Sequence, residues 1–165
     1  MQSAIYLASA SPRRKELLTQ LGYEFSQFSV DADESQLVNE PAVDYVERLA
    51  CLKAQTGVAM GYTDRPVLGS DTVVVIDGQA LGKPIDKADF ITTMQRLSNR
   101  THQVLTAIAF ATPNDVISQV VTTEVTFKSL SNDELESYWQ SGEPKDKAGG
   151  YCIQGLGGRF VTHIS

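Results

Sequence analysis

The stretch that most limits the folds open to this chain is GSDTVVVIDG, residues 69–78. Val73, Val74, Val75 and Ile76 are four β-branched apolar residues in succession, without the polar alternation of a half-exposed strand. Such a run belongs to a strand covered on both faces, and that requires layers of other elements above and below it. Asp77-Gly78 supplies the two positive-φ positions of a type I′ turn, so the chain reverses into a short partner at Gln79 to Leu81. Counting back from the turn pairs Ile76 with Gln79, Thr72 with Lys83 and Asp71 with Pro84. This register brings Lys83 beside Asp71 and Thr72, on the Thr72 face by strict alternation or re-aimed by a bulge at Gly82. Asp71 falls where the strand emerges from the core. A carboxylate there costs free energy unless it meets cations, donors or a metal. General base, metal ligand and structural cap of the strand end are the readings open to it.

Around this strand, extended and helical patterns alternate. A strand at Ala4 to Ala8 leads into a helix capped by Ser11, with Pro12 at its first position, Leu17, Leu18 and Leu21 as its apolar stripe and Gly22 closing it. A second strand is predicted over Tyr23 to Val30, then an acidic loop, DADESQLVNEP, and a long helix over Ala42 to Met60. Asp86 caps a helix running to Leu97. Strands at Gln103 to Ala111 and Val116 to Phe127 flank the turn PND. Ser131 and Glu134 form a capping box for a helix ending near Ser141-Gly142, and a last strand covers Arg159 to Ile164. The pattern predicts an α/β sandwich on a mixed sheet.

The chain has 165 residues, enough for one domain with a substantial core. No apolar run reaches the roughly 20 residues of a membrane helix, and no secretory leader is read. Cys51 and Cys152 lie far apart without metal-ligand spacing and are read as reduced thiols of a cytoplasmic protein. The net charge of −6 and the isoelectric point near 4.8 argue against a general nucleic-acid binder. They leave room for a local basic pocket.

Such a pocket is suggested by SASPRR, residues 9–14. Arg13 and Arg14 fall in the first turn of a helix, where cations are unfavourable by roughly 0.3–1 kcal/mol each unless an anion joins them. Strand, turn of small residues and helix start together make an anion site, with Ser9 and Ser11 as hydroxyl donors and the arginines as phosphate grips. The competing reading is a capped helix with solvated arginines. Lys53 lies on the inward stripe of the long helix defined by Val46, Leu49, Ala50, Gly57 and Val58, so its ammonium either meets an anion or snorkels outward. Asp31, Asp33 and Glu34 have the oxygen ligands a hard cation takes, although acidic loops are usually only solvated. Lys147 and Gln154 sit in EPKDKAGGYCIQG, whose glycines let backbone approach a ligand; Gln154 has the paired donor and acceptor that read a base edge. His102 and His163 are isolated and are not read as ligands.

The segments LASASPRRKELL, VDADES, LACLKA, GSDTVV, GKP, HQVLTA and EPKDKAGGYCIQGLGG occur in the order and spacing of the Maf family of nucleoside triphosphate pyrophosphatases, which this chain resembles over nearly its whole length. The resemblance implies an inosine triphosphatase-like fold, an elongated mixed sheet flanked by helices with a cleft between two lobes. It also implies a cytoplasmic homodimer dependent on Mg²⁺ or Mn²⁺, acting on nucleoside triphosphates rather than on nucleic acid or membrane. By the same resemblance Asp71 is the general base and with Glu34 holds the metal. Ser9, Ser11, Arg13, Arg14, Lys53 and Lys83 bind phosphate, and Arg13, Thr72 and Gln154 set specificity. Threonine after the aspartate and glutamine before G-L-G resemble the dTTP/UTP branch; glutamine and glutamate there mark a branch acting on 7-methyl-GTP. A non-catalytic nucleotide sensor is the reading from another class. Family chains normally continue into a G-[ST]-Y-x-x-V-x-G-L-P segment and a helix, and the sequence as written ends at Ser165, so one Maf-like domain without that segment is expected.

Overall fold

The computed structural model describes residues 4–165. The strands are β1 (Ile5–Ala8), β2 (Phe25–Phe28), β3 (Val67–Ile76), β4 (Gln79–Leu81), β5 (Thr101–Ala111), β6 (Val116–Phe127) and β7 (Val161–Ile164). The helices are α1 (Pro12–Gln20), α2 (Ala42–Ala59), α3 (Lys87–Leu97) and α4 (Asn132–Gln140). Strand order is β2-β1-β3-β5-β6-β7, with β4 attached to β3. β1 lies parallel to both β2 and β3, whereas β3–β4 and β6–β7 are antiparallel, so the sheet is mixed as expected.

The apolar run of β3 is buried throughout: Val73, Val74, Val75 and Ile76 are each at most 6% exposed. Asp77 and Gly78 both take positive φ, 52° and 75°, and the hairpin register is the one counted from the sequence, Ile76 opposite Gln79 and Val74 opposite Leu81. There the ladder stops. The further pairs that would set Lys83 against Thr72 and Pro84 against Asp71 are not part of it. The carbonyl of Gly82 instead accepts from the N–H of Gly149 at 3.1 Å, so the chain after Leu81 is bound to another segment.

The chain divides into two units by its contacts, one running up to Asp71 with Thr106–Val121, the other Thr72–Leu105 with Thr122–Ser165. In the first, Ile5, Leu7, Leu18 and Leu68 form a small core with Phe25 and Phe110 against it. Of the stripe expected on α1 only Leu18 is buried; Leu17 and Leu21 are 49% and 67% exposed. The short helix touches its core along one residue row. The helix nevertheless ends as its glycine requires, with Gly22 at φ 81° and a Schellman pair of bonds, Tyr23 N–H to Leu18 O and Gly22 N–H to Thr19 O, both 3.1 Å. β2 is shorter than the apolar pattern of residues 23–30 suggests.

In the second unit the core is larger and aromatic, with Phe90, Met94 and Leu97 of α3, Leu135 and Tyr138 of α4, and Phe127, Tyr151 and Phe160 packed on Val74 and Ile76. Both helix starts are capped as read: Asp86 accepts from Asp89 N–H at 2.8 Å, and Ser131 and Glu134 exchange bonds of 3.2 Å. The last strand begins at Val161 because residues Leu156–Phe160 form a 3-10 turn.

His102 sits in this core, 2% exposed, with Nε2 2.5 Å from the Tyr151 hydroxyl and Nδ1 without a hydrogen-bond partner among the described residues. Burial pulls its pKa from 6.5 down to about 4. The folded state therefore holds His102 neutral while the unfolded chain protonates it. Its stabilising contribution is complete above about pH 6.5 and is lost as pH falls toward about 4. Unfolding free energy is expected to fall by about 2 kcal/mol between pH 7 and 5 from this one group. Urea titrations of wild type and His102→Gln at both pH values check it, since the variant lacks that slope.

Candidate active site

The parallel ladder between β1 and β3 ends at Leu7 opposite Leu68, and β1 itself stops at Ala8. β3 runs on, so Asp71 lies in mid-strand yet past the carboxyl end of β1. The sequence placed it at the emergence of a strand; it is the neighbour that has run out. Ligands of open α/β sheets bind beyond the carboxyl ends of the strands, and the chain leaves β1 there through Ser9 and Ser11.

Alternation along β3 decides what Asp71 meets. Leu68 points to the core shared with Leu18, and Ser70 donates to Ala107 O at 2.9 Å. Val67, Gly69 and Asp71 share the other face, against α2. A Cβ on Gly69 would lie 2.4 Å from Ala50 O and 2.6 Å from Ala54 N, and one on Gly57 would lie 2.8 Å from a Val67 methyl. Helix and strand therefore touch backbone to backbone. This close approach explains a glycine inside a helix, which costs about 1 kcal/mol relative to alanine. It also carries Lys53, one residue before Ala54, to Asp71. Gly69→Ala is expected to lower unfolding free energy by about 1–3 kcal/mol through overpacking, read as a lower urea midpoint at unchanged slope.

Lys53 Nζ lies 3.1 Å from Asp71 Oδ1 and 3.0 Å from Glu34 Oε1, so one ammonium joins two carboxylates. The Lys53 and Asp71 side chains are 14% and 13% exposed; that of Glu34 is 56% exposed. Of the two readings of Lys53, the inward one holds. Burial pushes the Asp71 carboxyl above its ordinary 3.8, against the pull of Lys53 and Arg14 and with a further push from Glu34. Burial likewise lowers the Arg14 guanidinium below its ordinary value, opposed by Asp71 and Glu34.

Arg14 is fixed from the helix start. Ser11 Oγ caps α1 by accepting from Arg14 N–H at 3.3 Å, Ser9 Oγ accepts from Ser11 N–H at 3.1 Å, and Arg14 Nη1 reaches Ser9 Oγ at 3.4 Å. No acidic residue occupies the first turn of α1. Arg13 is half-buried in the same turn. Gln27 of β2 donates to Ser9 O at 2.6 Å, a support without any signature in the sequence.

Glu34 is held by its loop. Tyr45 Oη donates to Glu34 O at 2.5 Å, and Arg48 donates to Ser35 O at 2.9 Å while paired with Glu40 at 2.7 Å. Tyr45 and Arg48 follow each other at helical spacing on α2, and this pairing with an acidic loop was not read from the sequence. Asp33 accepts from Ser35 N–H at 3.0 Å and serves the loop rather than Lys53.

The first unit thus unites Ser9, Ser11, Arg14, Lys53, Asp71 and Glu34, with Arg13 alongside. Thr72, Lys83, Lys147 and Gln154 belong to the second unit. There Lys83 and Gln154 are exposed, Thr72 is half-buried, and Lys147 Nζ lies 3.1 Å from Asp146 Oδ1. Among the described residues no three of His, Cys, Asp and Glu cluster as metal ligands.

The profile described as Maf-like protein matches residues 4–165. The chain belongs to the Maf family. The dTTP/UTP pyrophosphatase of Pseudoalteromonas translucida (strain TAC 125) is 77% identical over 165 residues, covering 100% of this chain and 87% of the relative. That of Aliivibrio fischeri (strain ATCC 700601 / ES114) is 55% identical over 99% of this chain and 88% of the relative. Among solved structures, the Ham1 protein of Staphylococcus aureus superposes with a TM-score of 0.50 at 15% identity, covering 74% of this chain and 72% of that one. The last likeness concerns the fold alone. This Maf protein has no described helix long and apolar enough to cross a membrane, and its two cysteines are not joined in a disulfide.

Proposed function

We propose that this Maf protein is a nucleoside triphosphate pyrophosphatase that hydrolyses dTTP and UTP to the nucleoside monophosphate and pyrophosphate. The observation that carries the reading is the largely covered Asp71 held by Lys53 with Glu34 on the same ammonium and Arg14 in their field. That relatives at 77% and 55% identity are dTTP/UTP pyrophosphatases supports the substrate.

Asp71 accepts a proton from the water that attacks the α-phosphorus. As the new oxygen–phosphorus bond forms, the bond from the α-phosphorus to the bridging oxygen breaks, and its electron pair leaves on pyrophosphate. A carboxylate whose pKa is raised is the stronger base for that task. Arg13, Arg14 and Lys53, with the Ser9 and Ser11 hydroxyls, neutralise and orient phosphate oxygens, and the anion supplies what the first turn of α1 lacks. Lys83 and Lys147 are assigned to phosphate as well, and Thr72 and Gln154 to the pyrimidine edge, from their places in the motifs. A site that hydrogen-bonds the base rejects one that leaves those groups unpaired.

A divalent cation fits the donors present. Glu34 and Asp71 already meet on one cationic point, and an oxygen-only pair suits Mg²⁺ or Mn²⁺, which take their remaining ligands from phosphate and water. When bound, the ion supplies Lewis-acid neutralisation of phosphate oxygens. We assign the protein to the cytoplasm, as a homodimer of one Maf-like domain per chain.

The test is a panel of dTTP, UTP, CTP and 7-methyl-GTP with Mg²⁺, reading pyrophosphate. Release from dTTP and UTP supports the assignment. Orthophosphate as first product, or binding without release, overturns it in favour of a phosphatase or a nucleotide sensor respectively.

A further inference from the structure

Glu143 takes no part in the chemistry above, yet its carboxylate organises the loop that carries Gln154. It opens a 3-10 turn, Glu143–Asp146, just after α4. Oε1 accepts from Leu156 N–H at 3.0 Å, Oε2 accepts from Gly157 N–H at 3.1 Å, and the Tyr138 hydroxyl also donates to Oε2. Tyr138 Oη in turn accepts from Cys152 N–H at 3.0 Å. One carboxylate therefore fastens the loop on both sides of Gln154, directly after it and through Tyr138 before it.

The backbone is shaped for this contact. Gly155 N–H donates to Cys152 O at 3.1 Å, closing a tight turn with Ile153 and Gln154 at its centre. A Cβ on Gly155 would stand 2.0 Å from Glu143 Oε1, and one on Gly157 would stand 2.7 Å from Tyr138 Oη. The chain approaches the carboxylate and the phenol more closely than any side chain allows. Tyr138 is fully buried, whereas Gln154 at the tip is exposed. The Cys152 thiol contacts Gln154 Oε1 at 3.8 Å, so Glu143, Tyr138, Cys152 and Gln154 form one chain of contacts.

That chain matters because a glutamine amide free to turn over presents donor and acceptor in either order. It then serves uracil and cytosine alike. A held turn, with the Cys152 thiol against Gln154 Oε1, fixes where the amide stands and biases it toward one order. We propose that Glu143 is a positioning residue for base selection, holding the Cys152–Gly155 turn so that Gln154 discriminates between pyrimidines. This rests on the reading of Gln154 as the group that meets the base.

The experiment compares kcat/KM for UTP, CTP and ribose 5′-triphosphate, which lacks a base, in wild type, Glu143→Gln, Gln154→Ala and the double variant. Gly155→Ala approaches the same contact from the loop side, and thermal unfolding reports which variants are folded. The expected result is a UTP-to-CTP ratio lowered about tenfold in Glu143→Gln and in Gly155→Ala, with ribose 5′-triphosphate turned over as in wild type. The double variant should be no less selective than Gln154→Ala. An unchanged ratio in both Glu143→Gln and Gly155→Ala, with a lowered one in Gln154→Ala, overturns the positioning role alone. An equal fall for all three substrates also overturns it, leaving Glu143 a structural residue. A ratio unaffected by Gln154→Ala removes the base-reading role and the inference with it.

Discussion

Replacing Asp71 with Asn is expected to lower kcat for UTP by about 10²- to 10⁴-fold, the usual worth of a positioned general base. Asparagine matches the shape of aspartate, and Lys53 keeps its contact with Glu34 at 3.0 Å, so the fold should survive. The effect should be confined to turnover, with UTP still protecting the variant against thermal unfolding. The pH profile gives the decisive signature. Burial outweighs Lys53 and Arg14 and holds the Asp71 carboxyl above 3.8. As pH falls through that raised value the base is protonated, so the acid limb of kcat/KM lies above the range of an exposed aspartate. Asp71→Asn should lose this limb. Pyrophosphate release within tenfold of wild type would remove Asp71 from the reaction.

Lys53→Met should have the second largest effect, and it joins activity to pH. Asp71, 13% exposed, and Glu34 would lose the ammonium they share. We expect kcat/KM to fall by about 10²- to 10³-fold, comparable to the loss of one preorganised donor at a developing charge. Lys53 is the strongest influence holding the Asp71 carboxyl down, so its removal should move the acid limb to higher pH. Stability should fall by about 1–3 kcal/mol, because a largely buried carboxylate is left short of a partner. Glu34 adds little to that loss, being 56% exposed. An acid limb that stays in place in Lys53→Met would show that the pair seen in the folded protein is absent during turnover.

Both predictions depend on a contact that the sequence suggested without locating. Lys53 was legible as a cation on an inward helical stripe, and Asp71 as a carboxylate beside a buried strand. Neither periodicity says that the two stripes face each other. Gly57 and Gly69 settle that point, because each removes the Cβ that would hold α2 off β3. As isolated glycines within a helix and a strand they were the available signal, and they mark close approach rather than weakness. Tyr45 and Arg48 were less accessible. They act on backbone carbonyls of the acidic loop, and a loop without periodicity offers nothing to align against a helix face.

Where the sequence reading departs from the structure, a competitor outside the local pattern won. The hairpin register was right as far as Leu81, and then Gly149 took the carbonyl of Gly82. Leu17 and Leu21 matched a helical stripe, but the nine-residue α1 has a small core to face and buries Leu18 alone. The sequence shows His102 only as an isolated histidine that is not read as a ligand. Its burial among Phe127 and Tyr151 makes it instead a source of acid sensitivity in the fold.

By itself, the amino-acid order determined the elements, most of their caps, the type I′ turn and the buried apolar run of β3, since each follows from interactions among residues near in sequence. It also determined membership of the family, through motifs kept in order along the chain. Only the tertiary structure decided that Lys53, Asp71 and Glu34 share one charge, that Glu143 grips the loop of Gln154, and that His102 is denied its proton. Those outcomes turn on desolvation and on distances of about 3 Å between residues far apart in sequence, and both quantities exist only once the chain has packed.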